Sequence, residues 1–214
     1  MFGSALAAAI RYAELLVGAG VDRGLIGPRE TARIWDRHLL NCAVVAEGIP
    51  PGAAVVDVGS GAGLPGLVLA LVRPDLSLVL VEPLERRAEF LQEAVDLLGL
   101  RQVRVTRARA EELGPMAADI VTARAVAPLG KLAGWCLPLL RPGGTLLALK
   151  GARAADELAA AEPVLRRLGA TAWRIAPMGL DVLEHPTTVV VVTAGDPAAR
   201  TTGRTGVGKA RGRR

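Results

Sequence analysis

Residues 55–66 read Val-Val-Asp-Val-Gly-Ser-Gly-Ala-Gly-Leu-Pro-Gly, and the chemistry this segment suits is the holding of a ligand. Asp57 stands ahead of Gly59, Gly61 and Gly63 in the spacing Asp-x-Gly-x-Gly-x-Gly. Glycines there let the backbone turn sharply and come close to a bound molecule. Glu82 closes the next apolar run, Leu78-Val79-Leu80-Val81, and a carboxylate at such a strand end accepts hydrogen bonds from both hydroxyls of a ribose. Pro65 is pre-set for a first helical turn, so a helix starting at Leu64 points its free N–H groups and positive dipole end back at whatever the glycines hold. The competing reading is a tight turn with no ligand. It is weakened because glycine in a strand-to-helix turn costs stability unless close approach is needed.

The glycines alone leave the ligand open. Gly61, Gly63 and Gly66 also fit the G-x-G-x-x-G spacing of dinucleotide-binding folds, and an acid such as Glu82 serves the ribose in those enzymes too. Asp57 ahead of the turn tips the balance, since it resembles the first motif of S-adenosylmethionine-dependent methyltransferases.

The elements that must position these residues follow from the hydrophobic pattern. Helical patterns cover residues 4–18 and 29–47, the second with Trp35, Leu39, Cys42 and Ala46 on one face. They form an N-terminal helical cap over 1–52. After Pro50-Pro51-Gly52, strands are predicted at 54–58, 77–82, 103–106, 119–123 and 145–149, and helices at 64–72, 85–98, 128–140 and 154–168. Gly99 and Gly169 end two of these helices, and Arg141-Pro142-Gly143-Gly144 reads as a turn. Two last strands, 171–175 and 187–193, have no helix between them and must pair antiparallel. The alternation predicts an α/β fold, a doubly wound and mostly parallel seven-stranded sheet over 53–195 with a C-terminal antiparallel hairpin.

Composition narrows the class further. The chain has 214 residues, 51% of them hydrophobic, enough for one substantial core. No apolar run reaches the roughly 18 residues of a membrane span, and Arg11 and Glu14 interrupt the N-terminal apolar pattern, so a cytoplasmic protein is expected. Cys42 and Cys136 lie in apolar helical patterns without metal-ligand spacing, which reads as buried thiols, and no metal is expected. The net charge is +5. From Asp196 onward six basic residues face one acid, so the excess resides wholly in the Gly/Thr/Arg-rich stretch 196–214. That stretch is expected to be a disordered basic tail. Its composition suits a polyanion and equally a solubilising terminus.

Several segments together resemble the glucose-inhibited division protein B family, the ribosomal RNA small subunit methyltransferase G family. They are Ile34-Trp35-Asp36-Arg37-His38-Leu39-Leu40-Asn41, the run from Asp57 to Gly66, Glu85-Arg86-Arg87-Ala88-Glu89-Phe90-Leu91, Ala123-Arg124-Ala125 and Leu149-Lys150-Gly151. The resemblance spans 28–193. It implies a Rossmann-like fold, S-adenosyl-L-methionine as cofactor, and methyl transfer to N7 of a guanine, position 527 in the 530 loop of bacterial 16S rRNA, free or in an assembling small subunit. Two departures stand out: Cys42 replaces the serine more usual in the family, and the tail lies outside the shared pattern.

Carried over residue by residue, the resemblance implies cofactor contacts at Gly59, Leu64, Ala110, Glu111 and Arg124. These join Asp57, Gly61, Gly63 and Glu82 from the motif itself. Arg124 ends a strand, where it meets either the methionine carboxylate or a substrate phosphate. No catalytic acid or base is assigned. Guanine N7 already has an in-plane lone pair and no proton, so positioning supplies most of the rate. His38 and His185 read as packing or loop histidines. RNA contact is expected from Arg33, Arg37, Arg124 and Lys150, with surface pairing of Arg33 and Arg37 to Glu30 and Asp36 as the alternative. At 3% aromatic residues, extensive base stacking is not expected. Two other classes remain open at this stage: a methyltransferase of the same fold acting on a small molecule or protein, and a nicotinamide-binding or purely interacting domain.

Overall fold

The computed structural model describes residues 1–196; the basic stretch beyond them lies outside the described residues. The strands are β1 (Ala54–Val58), β2 (Ser77–Val81), β3 (Val103–Thr106), β4 (Ala118–Arg124), β5 (Leu140–Leu149), β6 (Ala170–Met178) and β7 (Thr187–Ala194). They form one sheet in the order β3-β2-β1-β4-β5-β7-β6. The first five run parallel, and β7 pairs antiparallel with both β5 and β6. The order reverses between β1 and β4. At that point an open α/β sheet leaves a crevice outside its carboxyl edge.

The helices are α1 (Leu6–Leu15), α2 (Leu40–Ala43), α3 (Gly66–Val72), α4 (Glu85–Leu98), α5 (Leu129–Cys136) and α6 (Ala154–Arg167). Alternation along β1 divides the core. Val55 joins Leu67, Leu69, Phe90 and Leu91 on the face covered by α3 and α4, while Val56 and Val58 join Leu132, Cys136 and Leu165 on the face covered by α5 and α6. Phe2, Tyr12, Leu16 and Leu39 belong to the first of these clusters. The N-terminal residues thus share a core with the sheet.

Five local expectations needed correction. The second N-terminal helical stretch is built of short pieces of different winding, with tight turns at Pro28–Arg33 and Val44–Gly48 and a wide turn at Ile34–Leu39 around α2. The face it buries carries Ile34, His38, Leu39 and Cys42. Helix α3 starts at Gly66, with Pro65 before it. The stretch 141–144 is an excursion within β5, whose Leu140 already pairs with Ala118. Helix α5 stops at Cys136, two residues before Pro138, whose ring would clash inside a longer helix. Strand β6 runs on to Met178, through Pro177, because it is an edge strand and no inner ladder bond is lost there. Gly99, at φ +66°, ends α4 as its position in the sequence required.

Candidate active site

The glycine turn rests on groups from three elements. Gly59 and Ser60 donate to the Val81 carbonyl at 2.8 and 3.1 Å, tying the turn to β2. Gly59 and Gly61 take φ +68° and +57°, a region that L side chains rarely adopt. Underneath, Asp57 is fully buried. It accepts from the Gly66 N–H at 3.1 Å and from the Thr122 hydroxyl at 2.8 Å. Burial pushes its carboxyl up to about 6, against the pull of those hydrogen bonds and the Arg124 charge. Asp57 therefore faces inward, bracing the turn, and the first N–H of α3 is spent on it. The expectation that this helix end points at a ligand is corrected accordingly.

The glycines divide in the same way. A side chain at Gly63 would meet Leu67 and Tyr12, and one at Gly66 would meet Leu80 and Asp57, all within 3 Å. These two are packing glycines. At Gly61 the only neighbour is the Gly59 carbonyl oxygen at 3.8 Å, so its missing side chain leaves open space. The Tyr12 hydroxyl donates to the Ala62 carbonyl at 2.6 Å, bringing the N-terminal helix under the loop. No motif pointed to Tyr12; its only signal was being the sole tyrosine in the chain.

A cavity of about 840 Å³ opens at the carboxyl edge, lined by Gly59, Gly61, Leu64, Glu82, Arg87 and Arg124 among others. Glu82 is buried and accepts from the Gly61 N–H at 3.0 Å and the Leu84 N–H at 3.1 Å, one on each oxygen. Each oxygen keeps a further lone pair, so a diol hydroxyl can still be accepted. A smaller cavity of about 260 Å³ shares Gly59, Pro83 and Val126 with the first and brings in Ala110, Glu111 and Trp135. An acid held against the glycine turn with lone pairs to spare, an open glycine and an adjoining slot lined by Val126 and Trp135 fit a nucleoside-bearing ligand.

Arg124 enters from the end of β4. Its guanidinium donates to the Cys42 sulfur at 3.3 Å and to His38 Nδ1. His38 Nε2 meets Glu30 at 3.0 Å, and Glu30 also pairs with Arg37 at 3.2 Å. Burial and the Arg124 charge hold His38 below its ordinary value, so the ring is neutral, with its proton on Nε2 and Nδ1 accepting from Arg124. This makes His38 an orienting group for Arg124. Burial also raises the Cys42 thiol to about 11. Ala125, next to Arg124, has φ +53°, which turns the chain sharply at the cavity wall.

The four cations expected to meet RNA fare differently. Arg33 pairs with Asp36 at 3.1 Å and Arg37 with Glu30, and both arginines remain about half exposed. Lys150 is turned inward: its side chain is 6% exposed, and its ammonium donates to the Ala127 carbonyl and to Glu157, each at 2.8 Å. Its expected role as a free RNA contact is corrected, because the apolar stem is buried and the charge is already matched. Arg87, which lies in the Glu85-to-Leu91 segment but had no role assigned from the sequence, lines the main cavity with Arg107 and Arg109. Among the described residues no group of acids, cysteines and histidines could hold a metal ion, and no helix is long and apolar enough to cross a membrane.

A family profile described as GidB, rRNA small subunit methyltransferase G, matches residues 5–178. The ribosomal RNA small subunit methyltransferase G of Salinispora arenicola is 60% identical over 200 residues, covering 90% of this chain and 83% of that one. The protein of the same name from Thermobifida fusca is 60% identical over 194 residues, covering 90% and 82%. Among solved structures, a SAM-dependent methyltransferase from Aquifex aeolicus has a TM-score of 0.53 at 20% identity, covering 70% of this chain and 87% of that one. A SAM-dependent O-methyltransferase from Thermotoga maritima has a TM-score of 0.52 at 17% identity, covering 72% and 63%. These two share the fold.

Proposed function

Because this chain belongs to the ribosomal RNA small subunit methyltransferase G family, we propose that it methylates N7 of a guanine in bacterial 16S rRNA, position 527 in the 530 loop, with S-adenosyl-L-methionine as the methyl donor. The observation that carries this reading is the cavity at the strand-order reversal, where Gly61 leaves open space beside Glu82 and Arg124 closes the opposite side.

When bound, S-adenosylmethionine supplies a methyl group made electrophilic by its sulfonium. Glu82 would hold the ribose hydroxyls, Gly59 and Gly61 would admit the methionine portion, and Leu64 would cover an apolar face. Ala110 and Glu111 would meet the adenine, the backbone N–H and the carboxylate matching its ring nitrogen and exocyclic amine. Asp57 and Gly63 act on the cofactor only through the loop they support. Arg124, oriented by His38, is placed for the methionine carboxylate or an RNA phosphate. Guanine N7 has no proton to lose, which agrees with a site whose one buried histidine is neutral and already hydrogen-bonded on both nitrogens. The residues need only hold nucleophile, methyl and sulfur in line.

For RNA, Arg33 and Arg37 offer exposed guanidiniums in weak surface pairs that a phosphate can replace. The partner is 16S rRNA or an assembling small subunit, and the compartment is therefore the cytoplasm. Incubation with labelled S-adenosylmethionine and 16S rRNA or small subunits, followed by mapping of N7-methylguanine, tests the reading. A single modified guanine in the 530 loop is expected. Labelling of a metabolite or protein panel without label in rRNA would overturn it.

A further inference from the structure

The main cavity holds more positive charge than its cofactor uses. Arg87, Arg107, Arg109 and Arg124 line it against two carboxylates, Glu82 and Glu112. S-adenosylmethionine brings an ammonium and a sulfonium against one carboxylate, so it adds net positive charge and neutralises one arginine at most. Glu82 is occupied by two backbone N–H groups. Arg107 pairs with Glu85 at 2.5 Å and Arg109 with Glu112 at 3.8 Å, with all four side chains more than half exposed, and pairs so wetted hold weakly.

Arg87 is the exception among the cavity arginines described: it has no carboxylate and no hydrogen-bond acceptor, and its Nε is buried without a partner. A buried donor left unsatisfied costs about 1–3 kcal/mol. A cost of that kind is sustained where the missing acceptor arrives with a ligand. Arg87 lies in the first turn of α4, on the β2–β3 side, just past Glu82, with Arg107 and Arg109 lining the same cavity. Ribose hydroxyls would satisfy the N–H and leave the surplus charge unmet.

We propose that Arg87 grips a backbone phosphate of the substrate RNA where the strand crosses the β2–β3 side of the cofactor cavity. The inference rests on the rRNA methyltransferase reading above. Arg87 is only half-buried as a whole, and with its side chain turned toward the cavity a phosphate would satisfy Nε and one terminal nitrogen together, the two-pronged geometry for which a guanidinium is shaped. It also supplies the anion that the cavity's charge demands. RNA would then be held on both flanks of the cofactor, by Arg33 and Arg37 on one and Arg87 on the other.

The test uses the full chain with Arg87→Gln and Arg87→Lys, measuring S-adenosylhomocysteine affinity by calorimetry and the KM for 16S rRNA across a salt series. For Arg87→Gln, cofactor-product affinity should stay within about twofold, while the RNA KM rises several-fold and the log–log salt slope falls by about 0.7–0.9, the loss of one phosphate contact. Arg87→Lys should keep the slope and still raise KM, because the charge remains and the fork is lost; it carries the test if the glutamine variant does not fold. An unchanged slope in Arg87→Gln, an unchanged KM in Arg87→Lys, or a cofactor-product affinity falling as far as the RNA affinity would each overturn the proposal. Wild-type protein that leaves 16S rRNA unmethylated would instead remove the functional reading on which it rests.

Discussion

Lys150 at the end of β5 and Arg87 in the first turn of α4 are both long cations at the carboxyl edge of one sheet, and they are used in opposite ways. The Lys150 ammonium is buried, matched to Glu157 and to a backbone carbonyl, so it fastens β5 to α6 and the segment leading into α5. The Arg87 Nε is buried with nothing to donate to. The acids show the same division. Asp57 is buried beneath the glycine turn and serves the fold, whereas Glu82 lies at the cavity wall with lone pairs left over. Charge at a ligand-binding edge thus does two jobs, and the jobs separate according to whether the partner comes with the chain or with the ligand.

The comparison breaks most readily at Lys150. Lys150→Met should lower unfolding stability by about 1.5–3 kcal/mol, the worth of hydrogen bonds to a charged group, because Glu157 is partly exposed and water can replace the lost ammonium, while the salt dependence of RNA affinity stays as in the wild type. Chemical denaturation and a salt series together check this, and a flattened salt slope at unchanged stability would put Lys150 with the RNA contacts. Asp57 gives a pH test of comparable size. Its carboxyl sits above the ordinary carboxylate range, at about 6, so its contribution is fully present below pH 4 and is lost as the pH rises through 6. Asp57→Asn should remove that decline, worth about 3 kcal/mol, and a thermal-unfolding series from pH 4 to 7 in which both proteins decline alike would assign the effect to another group.

Glu82→Ala should weaken S-adenosylhomocysteine binding by about 1–3 kcal/mol, the worth of hydrogen bonds to a charged group. Calorimetry giving the wild-type dissociation constant would move Glu82 to the structural side of the comparison, with Asp57. The smallest effect is expected at Arg33, whose pair with Asp36 is exposed at both ends. Arg33→Ala should change stability by less than about 0.5 kcal/mol and raise the RNA KM modestly at low salt only. A stability loss above 1 kcal/mol would show that this surface pair is part of the scaffold.

Much of this architecture was legible because its causes are local. The Val-rich runs become β1 and β2, Gly99 ends α4 at a left-handed turn, and the last two strands pair antiparallel for lack of a crossover helix. The departures at the start of α3 and within β5 come from longer-range competition. Asp57, through its bond to Gly66, helps place the start of α3 later than Pro65 suggested. The Ala118–Leu140 pairing pulls the 141–144 stretch into β5.

By itself, the sequence determined that a glycine turn, a following acid and a strand-ending arginine would be present, and in which order along the chain, since strand and helix periodicity and the φ freedom of glycine are set residue by residue. Only the tertiary structure decided which of these groups face a ligand. Arg124 meets His38 and Cys42 across more than eighty residues of chain, Asp57 meets Thr122 across two strands, and Lys150 turns onto Glu157. Whether a charged side chain is spent or free depends on burial and on which partner the fold brings within about 3 Å, and one-dimensional spacing carries neither quantity.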